Sequence, residues 1–89
     1  MGDAGRANIT ARRTIDARGL IVAAGFIDPH THAVEDLNSA DPKRRANLNF
    51  LMQGVTTVIT GNDGGGPTEV ARTLDQWKSQ GIGTNGVLL

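Results

Sequence analysis

A short apolar strand that runs straight into two histidines, Gly25-Phe26-Ile27-Asp28-Pro29-His30-Thr31-His32, constrains this chain more than any other stretch. Side chains of an extended backbone alternate between faces, so His30 and His32 are expected on the same side. Neutral imidazole is the commonest metal ligand, and two imidazoles at one strand end suit a divalent ion. A bare His-x-His pair is more often a coincidence of spacing on a polar strand end. Here the pair comprises the chain's two histidines and closes an apolar run at a turn-forming Asp-Pro. That context favours His30 and His32 as metal ligands.

The elements around this strand can be read in order. Met1 to Asn8 has no hydrophobic period and reads as a loose terminus. Ile9 to Ala23 alternates on either side of Ala17-Arg18-Gly19, which predicts a β-hairpin with glycine in its turn. After the strand comes a polar loop, His32 to Asp41. Asp41-Pro42 reads as the N-cap and first residue of a helix continuing to about Gln53. Leu48, Leu51 and Met52 are spaced to form its core face. Lys43, Arg44 and Arg45 oppose the helix dipole at its start and read as a solvated face, with a contact to a substrate carboxylate as the lesser alternative.

Gly54 has the position of a C′ glycine, and the β-branched run Val55 to Thr60 predicts a second strand. Gly61 to Gly66 is a loop. Pro67 is placed to open a second helix, with Glu69 in its first turn. Val70, Leu74 and Trp77 share one face of that helix, Gly81 ends it, and Thr84 to Leu89 begins a third strand. Strands alternating with helices at these lengths imply an α/β arrangement with parallel strands and right-handed crossovers.

In such a layout ligands sit at the carboxyl ends of the strands. His30 and His32 end the first strand, and Asn62 and Asp63 lie just past the second. Neighbouring parallel strands are about 4.8 Å apart, so Asp63 can reach an ion held by the histidines. Asn-Asp-Gly is also strong turn chemistry, and the two roles for Asp63 are compatible. Asp28, two residues before His30, is placed either to orient an imidazole or to serve the strand alone. Thr31 points the other way and reads as packing, as does Trp77. The glycines Gly64, Gly65 and Gly66 precede a helix, but they lack the lysine and hydroxyl of a phosphate-binding loop.

These same residues carry a family resemblance. Gly25 to His32 resembles the first barrel strand of the amidohydrolase superfamily, whose G-F-I-D-x-H-T-H pattern supplies the first two metal ligands. Thr14 to Ala23 is similar to the family's lead-in, with Ala24 where a proline is usual. Gln53 to Asn62 resembles the second strand of the N-acyl-D-amino-acid deacylase branch. That branch carries a cysteine ligand in a G-N-C-G loop where this chain has Gly61-Asn62-Asp63-Gly64, so Asp63 offers a harder ligand in place of a thiolate. The resemblance implies the first βαβαβ portion of a TIM-type (β/α)8 barrel over residues 25–89, preceded over residues 1–24 by a loose terminus and a β-hairpin of a small β-sandwich domain. It implies a zinc or other divalent cofactor held by His30, His32 and Asp63, and a small-molecule amide substrate. The family's remaining two histidines and its general-base aspartate come from later strands.

Length and composition set the bounds. A complete barrel needs roughly 250 residues; the chain has 89 and stops within the apolar run Val87-Leu88-Leu89. The expectation is an N-terminal piece of a larger hydrolase that is inactive alone and prone to self-association through open sheet edges. Nine basic residues balance nine acidic ones, which argues against nucleic acid or an anionic membrane as partner. The absence of cysteine excludes a disulfide framework. No apolar run approaches the length of a membrane span, no signal pattern opens the chain, and Arg6 spoils a myristoylation start, so a cytoplasmic protein is expected. Dihydroorotase-like, hydantoinase-like and deaminase branches share the first-strand motif. A non-catalytic binding or structural fragment is the alternative from another class.

Overall fold

The computed structural model describes residues 10–89. The loose terminus expected over Met1 to Asn8, and Ile9, lie outside these residues. The elements run β1 (Phe26–Thr31), α1 (Val34–Leu37), α2 (Pro42–Arg45), α3 (Leu48–Leu51), β2 (Val55–Thr60), α4 (Val70–Gln80) and β3 (Asn85–Leu88). The three strands form one parallel sheet in the order β1-β2-β3. The helices fall between strands, so the strand–helix alternation read from the sequence is the architecture found.

The predicted hairpin before β1 is present only as its turn. Leu20 N donates to Ala17 O at 3.0 Å and Gly19 takes φ 77°, but residues 10–24 form no strand. Ile15, Leu20, Ile21 and Val22 remain exposed. A two-stranded ribbon with nothing to pack against is marginal in water.

The register of β1 on β2 slips twice. Phe26 and Ile27 pair with Val55 and Thr57, which leaves Thr56 as an extra residue on β2. Gly25 accommodates it, because a Cβ there would collide with the Thr56 side chain. Asp28 and Thr31 pair with Val58 and Thr60, which leaves an extra residue on β1 at Pro29-His30. Bulges of this kind bend a strand and re-aim its side chains.

The expected helix from Pro42 to Gln53 is two short helices. Its start is as read: Asp41 caps it, its carboxylate accepting from Lys43 N at 2.9 Å, with Pro42 in the first turn. The break is Asn47, a left-handed residue at φ 51°, ψ 39°. Asn47 is buried, and its Nδ2 donates to Thr84 Oγ1 at 2.9 Å. The neighbouring backbone is tied in the same direction by Gly83 N donating to Arg45 O at 2.9 Å. These ties to the β3 approach reset the helical phase. Leu48 and Met52, assigned to the core face, are 56% and 83% exposed, and Phe50 packs on the core instead.

The loop expected between His32 and Asp41 contains α1, whose Leu37 is fully buried. The basic residues of α2 lie on a largely exposed face, as expected, but two of them also make contacts. Arg44 pairs with Asp36 at 2.7 Å. Arg45 donates to the carbonyls of Ser39 and Ala40 at 2.9 and 2.7 Å and to that of Gly81 at 3.3 Å.

Ala33, Leu37, Val58, Trp77 and Leu88 form the core, with Val34, Phe50, Val55 and Ile82 packed against it. Trp77 is buried as expected, and its Nε1 donates to Asn38 Oδ1 at 2.7 Å. Helix α4 starts three residues after Pro67 and ends where Gly81, at φ 76°, donates to Trp77 O. Among the described residues, no helix is long and apolar enough to cross a membrane.

Candidate metal centre

The carboxyl ends of β1 and β2 lie side by side, and two side-chain bonds add to their pairing. Thr31 Oγ1 donates to Ile59 O at 3.0 Å, and Thr60 Oγ1 donates back to Thr31 O at 2.8 Å. Both threonines are buried. Thr31 therefore faces inward between two exposed histidines, as alternation requires.

Beyond Thr60 the chain turns through Gly61, at φ 91°. A Cβ at that position would collide with the backbone carbonyl of Leu89, so the close approach of β3 also requires glycine. Gly64 N donates to Gly61 O at 3.1 Å and closes the turn. Asn62 Nδ2 reaches across to Pro29 O at 3.1 Å. Asp63 then projects towards β1.

The structure brings together all three residues assigned as metal ligands from the sequence. Asp63 Oδ2 lies 3.5 Å from His32 Nδ1 and 4.0 Å from His30 Nε2. The imidazole centroids are 5.9 Å apart and tilted by 46°. One ligand atom from each of the three side chains lies within 4.8 Å of the others. The two carboxylate oxygens are used differently. Oδ1 accepts from Gly65 N at 3.4 Å, which leaves Oδ2 facing the imidazoles. The Gly65 N–H is the main reason the Asp63 carboxyl is held below its ordinary value, with the two histidines adding to it and desolvation opposing it. Asp63 thus serves both as turn residue and as the acid facing the histidines.

Asp28 does not orient an imidazole. Its Oδ1 accepts from the backbone N of His30 at 3.2 Å, and it pairs with Val58 just before the bulge. It therefore supports the strand rather than a ring. Beside the histidines lies an open depression of about 410 Å³ lined by Asp28, His30, His32, Asp36, Asn49 and Phe50, among others. The sequence reading missed the role of Asn62. Its position beside Asp63, at the end of a strand that faces Pro29, was the available signal.

A parallel α/β sheet whose first strand ends in His-x-His, with a carboxylate from the loop after the next strand brought against it, offers three donors that could hold a metal ion. The amidohydrolase family pattern matches residues 13–85, and the chain belongs to that family. Over 54 residues it is 48% identical to a D-aminoacylase of Alcaligenes xylosoxydans xylosoxydans, covering 61% of this chain and 10% of that protein. Over 50 residues it is 52% identical to an N-acyl-D-aspartate deacylase of the same organism, covering 56% of this chain and 9% of that protein. A shorter match, 57% identical over 28 residues, is to an imidazolonepropionase of Caldanaerobacter subterraneus, covering 32% of this chain and 7% of that protein. The matched stretches thus span about a tenth of the length of the two deacylases. No solved structure matches it significantly.

Proposed function

We propose that this chain provides the first two metal-bearing strands of a metal-dependent amidohydrolase that cleaves the C–N bond of N-acyl-D-amino acids. The observation that carries the reading is the convergence of His30, His32 and Asp63 within 4.8 Å. In the same reading, residues 25–89 are the opening βαβαβ portion of a (β/α)8 barrel. The substrate class is supported by the longer matches to the two deacylases, set against the shorter one to the imidazolonepropionase.

The donors fit a divalent ion, zinc being the first candidate. Two neutral imidazoles and one carboxylate form an all-nitrogen-and-oxygen set of net charge minus one, suited to zinc and neighbouring metals. His30 and His32 would hold the ion from β1 and Asp63 from the β2 loop. When bound, such an ion polarises an amide carbonyl and lowers the pKa of water. The residues' own contribution is placement and charge. The bulge aims the imidazoles, the Gly65 N–H favours the ionised form of Asp63, and the exposed position of all three leaves the site open to a small amide.

Calorimetric titration with Zn²⁺ tests the site. Binding is expected to be weak and one-to-one, because three protein donors are fewer than a closed structural site uses. It should vanish in His30→Ala, His32→Ala and Asp63→Ala. Tight binding that survives His30→Ala would sink the assignment. For the substrate, the Co²⁺-loaded chain is offered N-acetyl-D- and N-acetyl-L-amino acids. Perturbation of the cobalt absorption by the D form alone supports the deacylase reading, and perturbation by the L form alone rejects it.

A further inference from the structure

We infer that Asn62 is a positioning residue for the metal centre: its side-chain amide sets the separation between the loop carrying Asp63 and the strand end carrying His30 and His32. The inference rests on the metal-site reading above. Asn62 Nδ2 donates to Pro29 O at 3.1 Å. Each partner is the chain neighbour of a ligand, Pro29 of His30 and Asn62 of Asp63. The bond therefore acts as a strut between the two backbones from which the donors project.

Its location gives it leverage. Pro29 and His30 occupy the bulge where β1 has one residue more than β2 can match. A bulge interrupts the regular ladder, and proline has no N–H to contribute to one. The Asn62 amide supplies a cross-link at this gap. The other bonds of the loop, Gly64 N to Gly61 O and Gly65 N to Asp63 Oδ1, lie within the loop and shape it without tying it to β1. The Thr31–Thr60 pair ties the strands before the loop begins. Among the described residues, apart from the contacts of Asp63 with the imidazoles, Asn62 is the hydrogen-bonded tie between loop and strand end. Groups that orient metal ligands from behind typically change metal affinity about 10- to 100-fold when removed.

The test is a Co²⁺ titration of the chain, read by calorimetry and by visible absorption, with thermal unfolding recorded for every variant. Asn62→Leu keeps the side chain's approximate shape and removes the donor. It should weaken Co²⁺ binding roughly tenfold and alter the absorption band. Asn62→Gln, which retains an amide donor, should recover at least part of the affinity. Asn85→Leu is the control. Asn85 Nδ2 makes a similar side-chain bond, to Thr56 O at 3.0 Å, at the other end of the sheet, and its loss should change stability without changing affinity. Parental affinity in Asn62→Leu would overturn the inference alone. So would unfolding of that variant, which would make Asn62 a purely structural residue. A parent chain that binds no Co²⁺ would overturn the metal-site reading, and the inference with it.

Discussion

Asp63 Oδ2 lies 3.5 Å from His32 Nδ1, although the two residues follow different strands. The contact exists because β1 and β2 are parallel and end at the same level, so both loops open on one edge of the sheet. The carboxylate is thus the only acid of the described residues placed against both histidines in the three-donor cluster.

Asp63 should decide which metal the site prefers. Asp63→Cys replaces a hard oxygen with a soft sulfur at the same position. Competition titrations should show Cd²⁺ and Zn²⁺ gaining over Mn²⁺ relative to the parent. An unchanged order would mean that Asp63 does not touch the ion.

The same residue makes a pH prediction for the metal-free chain. Asp63 is held below its ordinary value of 3.8, chiefly by the Gly65 N–H. A depressed folded-state pKa contributes stability that is fully present above the unfolded value and is lost as pH falls through the folded one. The stability difference between the parent and Asp63→Asn should therefore be flat near neutrality and shrink on acidification below 3.8. Chemical denaturation at a series of pH values measures it. A difference that widens in acid would contradict the assignment.

Thr60→Val tests the lock between the strand ends. It removes the 2.8 Å bond to Thr31 O at nearly constant volume from a buried position. A cost of about 0.5–1.5 kcal/mol is expected in urea unfolding. A loss well under 0.5 kcal/mol, by the same scale, would show that the bond is not needed.

Asn47 should tolerate little else. Alanine there loses the bond to Thr84 and must hold a left-handed backbone, which costs roughly 1–2 kcal/mol beyond the bond. Glycine avoids the backbone cost and should be the milder substitution. Equal losses for Asn47→Ala and Asn47→Gly would remove the conformational argument.

Self-association is expected of the chain. Phe26, Ile27, Val87 and Leu89 are large apolar residues left exposed on or beside the two outer strands, and outer strands offer unpaired backbone groups to another chain. Sedimentation at micromolar concentration should give a dimer or larger species. A compact monomer with cooperative unfolding would refute this.

Several features were set by local chemistry and were readable as such. The β-branched run Val55 to Thr60 is β2 residue for residue. Gly54 and Gly81 take the positive φ that their positions required, and Asp41 caps the helix that Pro42 opens. The alternation of strands and helices fixed a parallel sheet, and with it the meeting of His30, His32 and Asp63 at one edge. What the tertiary structure decided involves partners distant in sequence. Asn47 breaks a helix that its neighbours would continue, because Thr84 holds its side chain from the β3 approach. Arg45 holds the nearby carbonyls of Ser39 and Ala40 and also reaches the carbonyl of Gly81 at the end of α4. α1 forms within a polar stretch, where its Leu37 is buried in the core. The bulge at Pro29-His30 appears only when β1 is laid against β2, and Asp28, just before it, accepts from the His30 backbone instead of orienting a ring. Residue type and period determined the kind of β1, β2, α4 and β3. The breaks, bulges and struts depend on which chain segment lies alongside, which is why Asn62 is visible as a tie to Pro29 only in the folded chain.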